Sequence, residues 1–138
     1  LGKKDLNLFK NIVKNSFILS SISGLIISII FFLTNNFVIN FMSDIDEIRK
    51  LSSSYVIWLI ILPVISSFCY QFDGIFIGAS QTKELRNAMI FSVLVYLLIS
   101  ILLIKFLFNT GIWISLCIFM ILRAISLFWY LNRIYLRF

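Results

Sequence analysis

The run SFILSSISGLIISIIFFLTNNFVINFMS, from Ser16 to Ser43, is 28 residues long and carries no charged side chain. A helix rises about 1.5 Å per residue, so about 20 apolar residues cross a hydrocarbon layer of ~30 Å. The run therefore reads as a transmembrane helix with length to spare. Outward from it lie three more charge-free runs, Leu51 to Phe72, Asn87 to Ile104 and Phe106 to Leu122. Lipid offers backbone groups no water to bond, so each run closes its hydrogen bonds within itself as a helix. The strict alternation of a membrane barrel is absent. The expected fold is all-α and integral to the membrane, with four helices at about 10–42, 51–80, 85–108 and 111–136.

Composition agrees. The 138 residues are 61% hydrophobic and 13% charged, against about 25% charged in an average soluble domain, and mean hydropathy is +1.04. That is too little charge to coat a soluble core. There is no histidine, and Cys69 and Cys117 both lie inside apolar runs. A metal centre or a thiol–histidine nucleophile has nothing to be built from, and the thiols read as small buried hydrophobes. Enzyme chemistry is disfavoured. Lys3, Lys4, Lys10 and Lys14 precede the first run and mimic a signal peptide. The run is too long for that, and no small-residue cleavage site follows. With Leu1 in first place, the chain is expected to be a fragment beginning inside a longer protein.

Loop charges predict orientation. Lys3, Lys4, Lys10, Lys14, Lys83, Arg86, Arg133 and Arg137 fall on one side of a four-helix arrangement, and only Arg49 and Lys50 on the other. Cytoplasmic loops carry the excess of Lys and Arg, so both ends are expected in the cytoplasm of a bacterial inner membrane. The net charge of +6 then reflects loops facing anionic lipid, with no nucleic-acid partner required. Trp58 and Trp113 would anchor the outer interface, and Trp129, Tyr130 and Tyr135 the inner one.

Helices associate in lipid by close approach of small residues. Ser16, Ser20, Gly24 and Ser28 recur at four-residue spacing, Gly74 and Gly78 do the same, and Gly111 and Ser115 open the last run. These stripes read as packing surfaces, or as the polar wall of a transport cavity. Pro63 lacks an N–H and frees the carbonyl of Leu59, which predicts a kink.

Ionisable groups inside a membrane are expensive and mark function or pairing. Arg123 lies 12 residues beyond Gly111, roughly 18 Å into its helix. It is expected to face the bundle and pair with a carboxylate or helix-end carbonyls, in a structural or a cavity role, although the sequence shows no evident partner. Asp73 falls nearer the cytoplasmic end, and a salt bridge or capping role in the hairpin containing Arg86 is the simplest expectation. A proton or cation site is the alternative. Lys105 lies close enough to the outer end to snorkel.

The string Asp73-Gly74-Ile75-Phe76-Ile77-Gly78-Ala79-Ser80-Gln81-Thr82, followed by Glu84, Arg86, Asn87 and Met89, resembles the tenth helix and following loop of multidrug and toxic compound extrusion (MATE) transporters. It is most similar to the branch named for DNA-damage-inducible protein F. Leu1-Gly2-Lys3-Lys4-Asp5 resembles the end of the loop preceding helix nine, and Gly111-Ile112-Trp113 with Arg123 the last outer turn and helix. The resemblance covers the chain as helices nine to twelve of twelve, part of a C-terminal six-helix lobe. It implies a secondary antiporter that exchanges small amphipathic, often cationic compounds for H+ or Na+ by alternating access. Asp73, Gly74, Gly78, Ala79, Thr82, Arg86 and Asn87 are the motif positions it supplies. The proton-coupled branch carries its carboxylate on the first helix, outside this chain. The sodium-coupled branch has one twelve positions before the loop glycine, where this chain has Ser66. Ser66, Gln71, Asp73 and Arg123 are thus the candidates for an ion or substrate path. The expected partners are the lipid bilayer, the missing N-terminal helices and the transported compound. The rival readings are a flippase for lipid-linked or polysaccharide cargo and a free-standing four-helix structural membrane protein.

Overall fold

The computed structural model describes residues 6–135, with side chains described from 7 to 132. Leu1 to Asp5, Arg137 and the side chains of Arg133 and Tyr135, which enter the readings of the terminal loop, the orientation and the inner anchors, lie outside what is described. The described residues form three helices, α1 (Leu6–Met42), α2 (Asp46–Gly78) and α3 (Thr82–Tyr135). All three are long and apolar enough to cross a membrane. Four separate helices were expected. The difference lies in α3, where helical pairing runs on through the anticipated turn at Asn109-Thr110-Gly111 and is interrupted only at Phe108, with φ 48° and ψ −128°.

That single break reverses the chain. Tyr96 and Phe119 lie in edge contact with ring centroids 5.7 Å apart, whereas 23 residues of straight helix would separate them by about 34 Å. The two limbs of α3, 82–107 and 109–135, therefore lie side by side. Gly111 makes the close return workable. A Cβ on it would sit 2.5 Å from the Leu103 carbonyl oxygen and 3.0 Å from the Ile104 nitrogen.

The helices also extend beyond the charge-free runs, because hydropathy marks the lipid-embedded part and not the helix end. α2 begins with Asp46 and Glu47 in its first turn, where carboxylates complement the helix dipole. From the first turn of α2, Arg49 reaches back to the preceding turn, where its Nε donates to the Ser43 carbonyl at 2.6 Å and its guanidinium pairs with Asp44 at 3.2 Å. α2 ends two residues earlier than expected. The Gln81 N–H donates to the Phe76 carbonyl at 2.9 Å and the Ser80 N–H to that of Ile77 at 3.0 Å. This is the paired bonding of a Schellman cap, with Ser80 (φ 57°) in the left-handed position.

α2 packs against α1 and against the second limb of α3. Phe72 sits edge-on to Phe17 of α1 at 4.8 Å and to Phe128 at 6.3 Å. The core gathers toward the Gly78 end, from Val13, Phe72, Phe76, Ala88, Leu127 and Leu131. Near the Ser43 end, Trp113 stacks on Tyr55 and on Trp58, each at 6.4 Å. Cys69 is fully buried and Cys117 half-buried, both as free thiols. Much of the remaining surface is apolar, including Leu19, Leu33, Phe37 and Leu98. An apolar exterior of this extent suits lipid or further helices. The protein is an integral membrane protein.

Candidate functional site

The stripe on α1 meets α2 at the proline. Ser20 Oγ donates to the Ser67 carbonyl at 2.8 Å and Ser28 Oγ to the Ile60 carbonyl at 2.6 Å. Between them Gly24 is buried so closely that a Cβ would come within 2.7 Å of Ser67 Oγ and 3.1 Å of the Pro63 carbonyl oxygen. A proline removes a backbone donor and pushes against the preceding turn. The hydroxyls of α1 supply donors to this stretch of α2.

Beside this contact a cleft of about 530 Å³ opens between α1 and α2. Ser20, Ser23, Gly24, Ile27 and Phe31 line it from α1, and Leu59, Leu62, Pro63, Ser66, Ser67, Tyr70 and Gln71 from α2. No lining residue is charged. Its four serine hydroxyls all donate to main-chain carbonyls. Ser20 donates to Ser67, Ser23 to Leu19 at 2.9 Å, Ser66 to Pro63 at 3.3 Å and Ser67 to Val64 at 2.8 Å. Each hydroxyl has one hydrogen and two lone pairs, so with the hydrogen engaged each oxygen is left with acceptor capacity only. With Phe31 on α1 and Tyr70 on α2 the walls are largely apolar and aromatic, and the Gln71 amide and Tyr70 hydroxyl can donate as well as accept.

The four path candidates divide into two places. Ser66 and Gln71 line this cleft. Asp73 and Arg123 are instead joined to each other, Arg123 Nη2 to Asp73 Oδ2 at 2.9 Å, with side chains 17% and 11% exposed respectively. Both charges are paired, as expected of each, but Asp73 with a different partner. Asp73 faces the last limb of α3 while Arg86 is exposed on the first limb, and the carboxylate that Arg123 pairs with is Asp73. The Trp113 and Phe128 contacts set Arg123 level with about residue 67 of α2, six residues short of Asp73. That axial gap of about 9 Å is closed by the long arginine side chain reaching toward the Gly78 end. Asp73 Oδ1 and Arg123 Nε are buried with no hydrogen-bond partner among the described residues.

The remaining motif positions cluster near the end of α2. A second cleft of about 300 Å³ is lined by Phe9, Ile12, Val13 and Ser16 of α1 with Gln71, Gly74, Ile75 and Gly78 of α2 and by Ala79. A Cβ on Gly74 or Gly78 would meet nothing within 4 Å. Ala79 is buried, Thr82 opens α3, and Asn87 is exposed beside Arg86. Sequence reasoning missed Ser67, Ser23 and Tyr70. Ser67 and Tyr70 follow Pro63 by four and seven positions, a helical spacing that places all three on one face.

The MatE family model matches residues 1–103. Among curated proteins, the DNA damage-inducible protein F of Escherichia coli (strain K12) is 35% identical over 108 residues. The match covers 78% of this chain but 23% of that protein, so the chain spans about a quarter of the length of its relative. No solved structure matches. With three-quarters of its length under the family model, the chain belongs to the MatE family of membrane transporters.

Proposed function

We propose that the full-length protein is a secondary antiporter that exports small amphipathic, often cationic compounds in exchange for H+ or Na+. In this reading the chain is part of the C-terminal lobe of a twelve-helix transporter in the bacterial inner membrane. Its two ends face the cytoplasm, in keeping with the Lys and Arg bias of its loops. The cleft between α1 and α2 is part of the substrate path.

One observation carries the reading: the cleft is uncharged, carries an aromatic ring on each wall, and has four serines whose hydroxyl hydrogens are already donated to main-chain carbonyls. An organic cation gains there from ring faces and lone pairs, and its apolar body from the aliphatic wall. Nothing in the cleft holds the cargo by a full charge, which suits a site that must also release it. Pro63, which leaves a helical hydrogen bond of α2 unmade, and the small residues of α1 supply a place where the wall can change shape. The coupling carboxylate is assigned to the rest of the protein, because Ser66 stands where the sodium-coupled pattern has an acid.

The test is uptake of a lipophilic cationic dye by everted vesicles containing the full-length protein, with a proton or a sodium gradient imposed. Uptake that collapses with one gradient and not the other supports antiport and names the ion. Uptake equal to that of protein-free vesicles under both gradients rejects the reading.

A further inference from the structure

The Asp73–Arg123 pair lies apart from the cleft, and its arrangement is a poor one for stability alone. Removing two charges from water is costly, and a buried pair repays it only when every remaining donor and acceptor is satisfied. Here a single 2.9 Å contact is made, and one acceptor of Asp73 and one donor of Arg123 lack partners among the described residues. Adhesion between α2 and the second limb is already supplied. Phe76 and Leu127 are fully buried, and Phe72 and Phe128 meet edge to face. The Trp113 and Phe128 contacts bias the register, but slip there loses only apolar contact, whereas slip at the ion pair leaves two buried charges apart. An ion pair in a low-dielectric setting has one position. Fixing register is the best-attested use of a buried polar group.

The two charges also occupy each other. A cation arriving at Asp73 would have to displace the guanidinium, and an anion at Arg123 the carboxylate. Neither side chain lines the cleft. We propose that Asp73 and Arg123 are a positioning pair, holding the last limb of α3 in register on α2 during transport, and that neither binds cargo or coupling ion. This inference rests on the transporter reading above.

The experiment has two readouts on the full-length protein, in a background with Cys69 and Cys117 replaced by alanine. Spin labels at the exposed positions Ile57 and Ile121 report the distance between α2 and the limb. Dye uptake gives the maximal rate and the half-saturating concentration. Asp73→Leu and Arg123→Leu are each expected to broaden the distance distribution or shift it by about one turn, ~5.4 Å. Each should lower the maximal rate at least about tenfold with the half-saturating concentration unchanged. Arg123→Lys, or the exchange of Asp73→Arg with Arg123→Asp, is expected to recover both. Unchanged distances in the single variants overturn the proposal. So does a raised half-saturating concentration, which would place a charge on the cargo. Failure of both rescue variants overturns it as well. If the distances respond as expected while no variant or wild type moves dye, the transporter reading falls and the positioning pair stands.

Discussion

Gly24 of α1 and Ser67 of α2 are in such close approach that a single added carbon on Gly24 would lie 2.7 Å from the serine oxygen and 2.9 Å from its Cβ. The contact lies between two interhelical hydrogen bonds, Ser20 to Ser67 and Ser28 to Ile60. Gly24→Val is therefore expected to push the helices apart and break both. Overpacking of this kind costs about 1–3 kcal/mol. Thermal unfolding of the full-length protein in detergent should show a lower midpoint, with a smaller fall for Gly24→Ala. A Gly24→Val variant as stable as wild type would mean that α1 and α2 do not meet here.

A second expectation concerns the reversal of α3. Gly111 faces the Leu103 carbonyl oxygen at a virtual Cβ distance of 2.5 Å, and backbone has no rotamer with which to move away. Gly111→Ala gains up to about 1 kcal/mol of helix propensity and loses more to the clash. Net destabilisation of about 1–2 kcal/mol is expected, read as a lower midpoint in the same unfolding assay. A rise would show that the limbs are not this close.

The cap of α2 offers a change in the opposite direction. Ser80 holds φ 57°, a region that costs an L-residue about 1–2 kcal/mol and glycine almost nothing. Glycine also loses more chain entropy on folding, offsetting part of the gain. Ser80→Gly should stabilise by about 0.5–1 kcal/mol without altering dye uptake. Lower stability would mean that the serine has a contact worth more than the strain.

The helical character of the chain was legible in its charge-free runs, because lipid leaves a backbone no alternative. The count of helices was not. Asn109-Thr110-Gly111 has the composition of a turn, and the third helix was expected to end at 108. The break does fall on Phe108, but helical pairing runs on through 109–111, so the two limbs form one continuous element. The ion pair was hidden for a different reason. Counting residues gives the height of each Cα, and Asp73 and Arg123 differ there by more than an ordinary contact, which the reach of arginine covers. Ser20, Gly24 and Ser28 stand out at four-residue spacing, whereas Ser67, the residue that Ser20 and Gly24 approach, forms no stripe of its own. Contacts between helices depend on relative rotation, which one helix's sequence does not contain.

The central claim is that the cleft between α1 and α2 is part of a substrate path, and filling it tests this most directly. Ser66 lies on the cleft wall one turn from Pro63, and among the described residues its hydroxyl bonds within α2, to the Pro63 carbonyl. The measurement is gradient-driven uptake of a lipophilic cationic dye by vesicles containing full-length wild type or Ser66→Trp, at matched protein level and thermal stability. The account predicts uptake by wild type and a loss of at least about tenfold in the tryptophan variant, equivalent to about 1.4 kcal/mol in the effective barrier. Uptake by Ser66→Trp equal to that of wild type would contradict it.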